Sequence, residues 1–506
     1  MRIPLPIRKG AWPEAIAGAV ILALVFLHVW SLMRFPRPFV DEAWFANRAW
    51  SLLRHGDTIG SLDVGVVDRF PGARLFFPLL PVIVQAAALS FVHEPSLLAL
   101  RVVSLVAGAG LTFAIWSIAR SAYDRAAALG SIVILALSEP FFYSSHLARY
   151  DVIAAALAFG GIALYLRSGR NRVLTAGLGG LFAGVAMEFH PFAVVIAVAL
   201  PVLAIEEFGW RVHHHPVSRT LALGLLAGSA VYPGIHVFPN PRTYLAISRL
   251  LYGPTHVPFA NPIGTLITDS LGLTFAMFKF AFPVLVWAVI SMAVSPERRD
   301  RRVALLAISV FGAFTVIVRN KLLYYAILFS PALVLCLAIA LRQAIGKWRS
   351  YGPVALVTVS TALALVSYQT CLVGIGILTY DSRTAFQDVQ RRIATTIRPG
   401  ESIMGPQTYW FGLSDHRYYS WEQLIYLQRL HPGISAVQAL EMMQPDVFIR
   451  DRDVDQFVRD QPGDTLYERL LRLPKAEMET WLAQHSTLVA DFDAEIYGRV
   501  RVYRLR

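Results

Sequence analysis

The sequence predicts a mainly α, polytopic membrane protein of about 11 transmembrane helices, followed by a small extracytoplasmic α/β domain. Three observations carry this. Apolar runs of 16 to 27 residues recur from about residue 13 to 378, each long enough to span or nearly span a bilayer. The chain is 56% hydrophobic with a mean hydropathy of +0.51, outside the range of ordinary soluble domains. From residue 380 on, charges become frequent and span-length runs stop.

The spans are expected at roughly 13–33, 97–119, 126–143, 150–167, 173–188, 191–208, 219–238, 275–295, 303–318, 323–342 and 352–378. Basic residues set their orientation. Arg2, Arg8 and Lys9 precede the first span, and Arg120 and Arg125 follow the second. Arg167, Arg170 and Arg172 follow the fourth; Arg211 and Arg219 follow the sixth. "SPERRDRR" at 295–302 and "RQAIGKWRS" at 342–350 complete the set. With eleven spans every one of these loops falls on one side. The positive-inside rule makes that side the cytoplasm, so the N-terminus is inside and the C-terminus outside. No cleavable signal peptide is evident, and the first apolar segment reads as a retained span.

The first outer loop, 34–96, holds two further elements. "DEAWFANRAWSLLRH" reads as an amphipathic helix with Phe45, Ala49, Leu52 and Leu53 on one face, and Trp44 and Trp50 suit a membrane interface. "LFFPLLPVIVQAAALSF" at 75–91 carries Pro78 and Pro81 and would reverse every later loop if it crossed. It reads as a re-entrant or interfacial helix; the alternative is that it crosses and another weak span, such as 173–188, does not. The division expected is therefore 1–379, transmembrane, and 380–506, a soluble unit large enough for one small domain. There "DSRTAFQDVQRRIATTI" reads as a helix stopped by "RPG", and "PDVFIRD", "STLVADF" and "GRVRVYRL" read as strands.

Charge and cysteine content narrow the function. Residues before 380 carry 30 Lys and Arg against 16 Asp and Glu, and the remainder 16 against 18. The basic excess thus belongs to the membrane loops, and a pI of 9.8 calls for no nucleic-acid partner. Cys336 and Cys371 both lie in expected spans and form no metal or disulfide framework.

Carboxylates at span ends are costly in so apolar a chain unless they act. Asp41 and Glu42 follow the first span and suit a general base or metal ligand at the outer face. The plain alternative is an Asp cap with Glu in the first helical turn. Asp151, in "SHLARYDVIAAALAF", is placed to share a divalent cation (Mg or Mn) with Asp41, while Arg149 faces an anion. The alternative has Asp151 capping the fourth span and Arg149 snorkelling. Arg242, Arg249, Arg319 and Lys321 fall on the outer side, where short loops disfavour cations, and suit a phosphate at the lipid surface or plain headgroup contact. Glu188 and His190 sit at a Pro-marked turn; His190 suits phosphate binding or proton transfer, or simply a helix end shaped by Pro191. His213, His214 and His215 read as a solvated cytoplasmic loop.

Taken in order, these motifs resemble the GT-C superfamily of membrane glycosyltransferases. The closest likeness is to the branch of protein O-mannosyltransferases and aminoarabinose transferases (glycosyltransferase family 39-like). The matching features are Asp41-Glu42 after the first span, Gly56-Asp57 closing the amphipathic stretch, and Arg101 in "LLALRVVSLVAG". Arg149 and Asp151 match the R-x-D before an apolar helix, and "RNKLLYYAILFSPALVL" contributes Lys321, Tyr324 and Pro331. The likeness covers about residues 1–380. Many relatives have a Lys where this chain has "AGVAMEFHPF", which weakens His190 as a phosphate ligand. The resemblance implies a polyprenyl-phosphate-sugar donor, an extracytoplasmic acceptor (lipid, glycan or protein), and inverting transfer in a plasma membrane. It implies Asp41 as base, Asp151 positioning the acceptor or holding a metal, and Lys321 and Arg149 neutralising the lipid phosphate.

Three other readings compete, one of them a non-catalytic homologue that uses its outer domain for assembly, against which the presence of both Asp41 and Asp151 argues. A polysaccharide polymerase or ligase on lipid-linked sugars would show a large outer loop rich in Arg and His rather than an early Asp-Glu. A lipid-linked-sugar transporter or flippase would show charges deep within spans and inverted repeats. Here the charges gather at outer span ends, and no repeat is evident.

Overall fold

In a computed structural model, which describes residues 12–167, 169–252, 262–318, 321–347, 352–460 and 473–506, the chain is mostly helical up to Thr379 and ends in a mixed sheet. Arg2, Arg8, Lys9 and Arg319 lie outside the described residues.

The first helices are α1 (Trp12–Ser31), α2 (Val40–His55), α3 (Leu79–Leu89), α4 (Leu97–Ala122), α5 (Arg125–Ala136), α6 (Glu139–His146), α7 (Asp151–Leu166) and α8 (Arg172–Phe189). Eight helical segments of the described chain are long and apolar enough to cross a membrane. A ninth is added if α5 and α6, bent by 66° at their junction, form one span. α7 is apolar but 16 residues long. These spans make the chain an integral membrane protein.

Three expectations need correction. The span expected at 303–318 is a helix from Arg298 to Ile317, whose first turns carry charges that are paired rather than dissolved in lipid. The span expected at 323–342 runs instead from Ser330 to Lys347, after a 3-10 segment Leu323–Leu328. Pro331 sits in the first turn of that helix, where its missing N–H costs nothing, and it disfavours helix before it. The α2 face expected from Phe45, Ala49, Leu52 and Leu53 is a stripe of Ala43, Ala46 and Ala49, all fully buried, while Leu53 is exposed. Small residues win because α2 is covered on two sides, by α3 and α4 and by Phe386, Trp410 and Tyr497 of the C-terminal region. α3 is 11 residues, about 16 Å, too short to cross.

Several of the described basic loops share one end of the bundle. Glu207 joins Arg172 and Arg302 and accepts from the Tyr165 hydroxyl at 2.9 Å. Asp300 meets Tyr123 and Gln343, and Arg342 pairs with Asp124 at 3.0 Å. These contacts gather the ends of α4, α7 and α8 and of the Ala199–Phe208, Arg298–Ile317 and Ser330–Lys347 helices. Each of α7, α8 and the Arg298–Ile317 helix runs from there to the opposite end, where Asp151, His190 and Lys321 sit.

The C-terminal sheet has strands β1 (Ile403–Gly405), β2 (Tyr418–Ser420), β3 (Val447–Arg450), β4 (Ser486–Ala494) and β5 (Gly498–Leu505), in the order β2-β1-β3-β5-β4. β1 pairs in parallel with β2 and β3; β5 pairs antiparallel with β3 and β4. Three of these strands and the helix Ser382–Ala394 coincide with the runs read as such in the sequence. The region is tied to the first loop. Arg37 pairs with Asp453 at 2.9 Å, and Ser382 N donates to the Arg34 carbonyl at 3.0 Å.

Candidate active site

The short segment 32–39 brings α2 back over the bundle end, and its carbonyls are held on both sides. Arg101 Nη1, in the apolar helix α4, donates to the Leu32 and Pro36 carbonyls at 2.9 and 3.1 Å. The same guanidinium grips Glu42 with two parallel bonds of 2.9 Å. Glu42 also accepts from Phe39 N at 2.8 Å and Ala148 N at 2.7 Å. Its carboxylate is fully buried and its lone pairs are committed. Glu42 therefore fixes the start of α2 against α4 and the α6–α7 turn, and the catalytic part assigned to it in the sequence does not fit its surroundings.

Asp41, one residue earlier, turns the other way. It is not the cap, which falls at Phe39, and its side chain stays about a quarter exposed. Arg149 Nη1 pairs with Asp41, and Arg149 Nε donates to Asp151 Oδ2 at 2.7 Å. One buried guanidinium therefore bridges the two acids that the sequence singled out. It lies 3.6 Å over the Tyr324 ring, within a wall completed by Phe39, Phe45 and Tyr325. Burial opposes the Arg149 charge, but Asp151 and the two tyrosines outweigh it and raise its pKa.

Asp151 opens α7 behind a Tyr150 cap and is almost wholly buried. Its second oxygen, Oδ1, accepts no hydrogen bond among the described residues. His190 Nε2 lies 3.3 Å away, close enough to interact but off hydrogen-bond geometry. His190 Nδ1 accepts from Phe192 N at 3.2 Å, so the proton of a neutral ring sits on Nε2, toward Asp151. Burial lowers the His190 pKa, with Asp151 acting against that, so the neutral ring is favoured. Asp41, Arg149, Asp151, His190 and Tyr324 thus form one constellation.

The other cations lie elsewhere. Lys321 Nζ donates to the Val318 carbonyl and, at 3.1 Å, to that of Thr315, closing the Arg298–Ile317 helix. Burial lowers its pKa to about 8, with Asp269 acting the other way. Arg242 and Arg249 are exposed on the helix Pro241–Tyr252, whose Ile247 and Leu250 are buried. Glu188 accepts from Leu79 N at 2.8 Å and faces His236 Nε2 at 2.9 Å, so it anchors α3 rather than the site. Sequence reasoning missed His236 and the stacking partner Tyr325. It also left out His28 and His146, ionisable residues within or beside apolar helices, which was the available signal.

The residues do not fit a divalent cation between Asp41 and Asp151. A guanidinium occupies the position a shared metal would need, and among the described residues no three His, Cys, Asp or Glu side chains converge on a metal-sized site.

The family profile described as dolichyl-phosphate-mannose-protein mannosyltransferase matches residues 78–233. A comparison with curated proteins gives no match. Among solved structures, the chain is similar to ArnT from Cupriavidus metallidurans bound to undecaprenyl phosphate. The TM-score is 0.66 at 15% identity, over 98% of each chain. It is also similar to the apo oligosaccharyltransferase of Archaeoglobus fulgidus, with TM-score 0.58 at 11% identity, over 88% of this chain and 70% of that one. The archaeal AglB from the same organism, in complex with an inhibitory peptide and a dolichol-phosphate, gives 0.57 at 10% identity, over 97% and 74%. The chain shares the fold of these solved structures over most of its length.

Proposed function

We propose that this chain is an integral-membrane glycosyltransferase of GT-C type. It moves a sugar from a polyprenyl-phosphate donor to an acceptor on the extracytoplasmic face, with inversion. The observation that carries the reading is the meeting of Asp41 and Asp151 on the Arg149 guanidinium, at the end of the bundle away from the basic loops. The likeness to ArnT, solved with undecaprenyl phosphate, supports the donor class. The likeness to an oligosaccharyltransferase tethered with an acceptor peptide supports an acceptor in general terms.

The chemistry follows from the charges. Asp41 takes the proton of the acceptor hydroxyl. The hydroxyl oxygen attacks the anomeric carbon, the bond to the phosphate oxygen breaks, and the lipid phosphate leaves with the electron pair. A single displacement inverts that carbon. Arg149 faces the departing phosphate, and drawing Arg149 away from Asp41 frees the base in the same event. Asp151 keeps Arg149 aligned and offers Oδ1 to the acceptor; Tyr324 supports the guanidinium from below. No step requires a divalent cation, because the guanidinium supplies the charge. Residues 1–379 then form the catalytic unit and 380–506 an outer domain, in a plasma membrane with the N-terminus inside.

Asp41→Asn tests the reading, since it keeps size and removes the base. Transfer from a polyprenyl-phosphate-sugar donor, in detergent or nanodiscs, is expected to fall by roughly 10²–10⁴-fold while insertion and folding persist. Near-normal turnover would return Asp41 to a purely structural part.

A further inference from the structure

Two histidines outside the acidic site make three contacts in a row. His28 Nε2 faces the Ala136 carbonyl at 3.0 Å, where α5 ends. His28 Nδ1 faces His146 Nε2 at 3.0 Å. His146 Nδ1 faces the Phe35 carbonyl at 2.8 Å, in the segment that leads into α2. Both side chains are buried, His146 completely, and the His28 ring stacks on Phe142 with centroids 4.3 Å apart.

Counting protons decides what this row is. A carbonyl oxygen only accepts, so each outer ring nitrogen must carry hydrogen. The inner contact also needs one hydrogen between its two nitrogens. Three contacts need three protons, and two neutral imidazoles supply two. A neutral pair would press lone pair against lone pair at one of three buried contacts.

We infer that His28 and His146 share one proton and, as a singly charged pair, clamp the Phe35 carbonyl to the α5–α6 break. Segment 32–39 is gripped from one side by Arg101 and from the other by this dyad, and α2, which follows directly, carries Asp41 in its first turn. The two histidines are thus positioning residues. Their consequence for transfer rests on the reading of Asp41 as base; the shared proton does not. The ionisable groups around the dyad are Arg101, neutralised by Glu42; Arg34, paired with Asp381 at 3.4 Å; and Glu139, Tyr143 and Tyr380. Among the described residues none of them bonds either imidazole.

The sign follows from the contacts. Burial and the Arg101 charge oppose the third proton, while the Ala136 and Phe35 carbonyls favour it; the clamp is complete while that proton is held, and its contribution to stability is lost as pH rises past the point where it leaves. The experiment is thermal unfolding of the whole detergent-solubilised protein against pH, paired with ¹⁵N NMR of histidine-labelled protein. The parent is expected to lose stability in a one-proton step on raising pH, and to show one protonated imidazole shared between two rings below that step. His28→Phe keeps the stacking ring and leaves His146 neutral with its Phe35 bond, so both signatures should vanish. Its kcat should be lower and lack that pH limb. Asp41→Asn should retain the step whether or not it transfers sugar, which separates this inference from the catalytic one. Two neutral rings in the parent spectrum at pH 6, or an unchanged step in His28→Phe, would overturn the shared proton.

Discussion

Arg101 and Arg149 are both buried guanidiniums holding carboxylates, yet their surroundings differ. Arg101 and Glu42 saturate one another and the backbone around them, so that pair has nothing left to offer a substrate. Arg149, itself buried, divides its bonds between a buried acid and a quarter-exposed one, so one of its two acids stays open to the outside. Lys321 is a third kind of cation, half-buried over helix carbonyls, with a pKa lowered by burial to about 8. Its ordinary value is about 10.4, so between these values the unfolded chain holds more protons than the folded one. Stability from this group should therefore rise with pH across that window. If Lys321 also meets the donor phosphate, donor affinity should move the opposite way. It should weaken by about 10- to 100-fold as pH rises through about 8, the worth of one charge-assisted bond. Lys321→Arg should abolish the weakening. Titrating donor KM from pH 7 to 9.5 reads this directly; a pH-independent KM in the parent would confine Lys321 to closing its helix.

At the scale of the element, α8 owes its place to glycine. A Cβ on Gly161 of α7 would fall 2.4 Å from the Gly179 carbonyl, and one on Gly180 would fall 2.2 Å from the Leu221 carbonyl of the helix Pro216–Ser229. Backbones approach this closely only where side chains are absent, and van der Waals contact and weak polar contacts then hold helices together in lipid. The consequence is functional as well as structural. The far end of α8 carries Glu188, which anchors α3, and is followed by His190, which faces Asp151. Gly180→Ala is expected to destabilise the protein by about 1–3 kcal/mol through overpacking, and to lower transfer by displacing that end. Gly160→Ala is the control, because nothing lies within 4 Å of a Cβ there, and it should stabilise slightly or be neutral. Unfolding midpoints of the two variants, in one detergent, check the contrast.

At the scale of the molecule, the arrangement is polar in the literal sense. One end of the bundle is laced by Arg–carboxylate pairs, and the other carries the acids, His190 and the C-terminal sheet docked through Arg37 and Ser382. The Lys and Arg bias predicts that the laced end is cytoplasmic. A reporter active only outside the cytoplasm, fused after residue 380, should be active, and a cytoplasm-only reporter at the same place silent. The reverse pattern would put the acids on the wrong side for an outer acceptor. The C-terminal region shares a core with α2, so its removal should expose Ala43, Ala46 and Ala49 rather than leave a neat membrane unit.

Long apolar runs, their basic loops and the change at 380 depend on composition over many residues, and such averages survive ignorance of the fold. The helical class and the mixed C-terminal elements were therefore legible in the sequence alone. So were Asp41, Arg149 and Asp151, because charges at apolar span ends stand out one by one. Which charge satisfies which was not legible. Asp41 and Glu42 are neighbours in sequence, but successive helical positions point about 100° apart, and only the packing of α4 decided that Glu42 meets Arg101 while Asp41 meets Arg149. Lys321 lies over carbonyls of the helix that precedes it in the chain, and the histidine row needed four segments brought together. Those are contacts across long stretches of chain, set by how the helices pack, which no local pattern records.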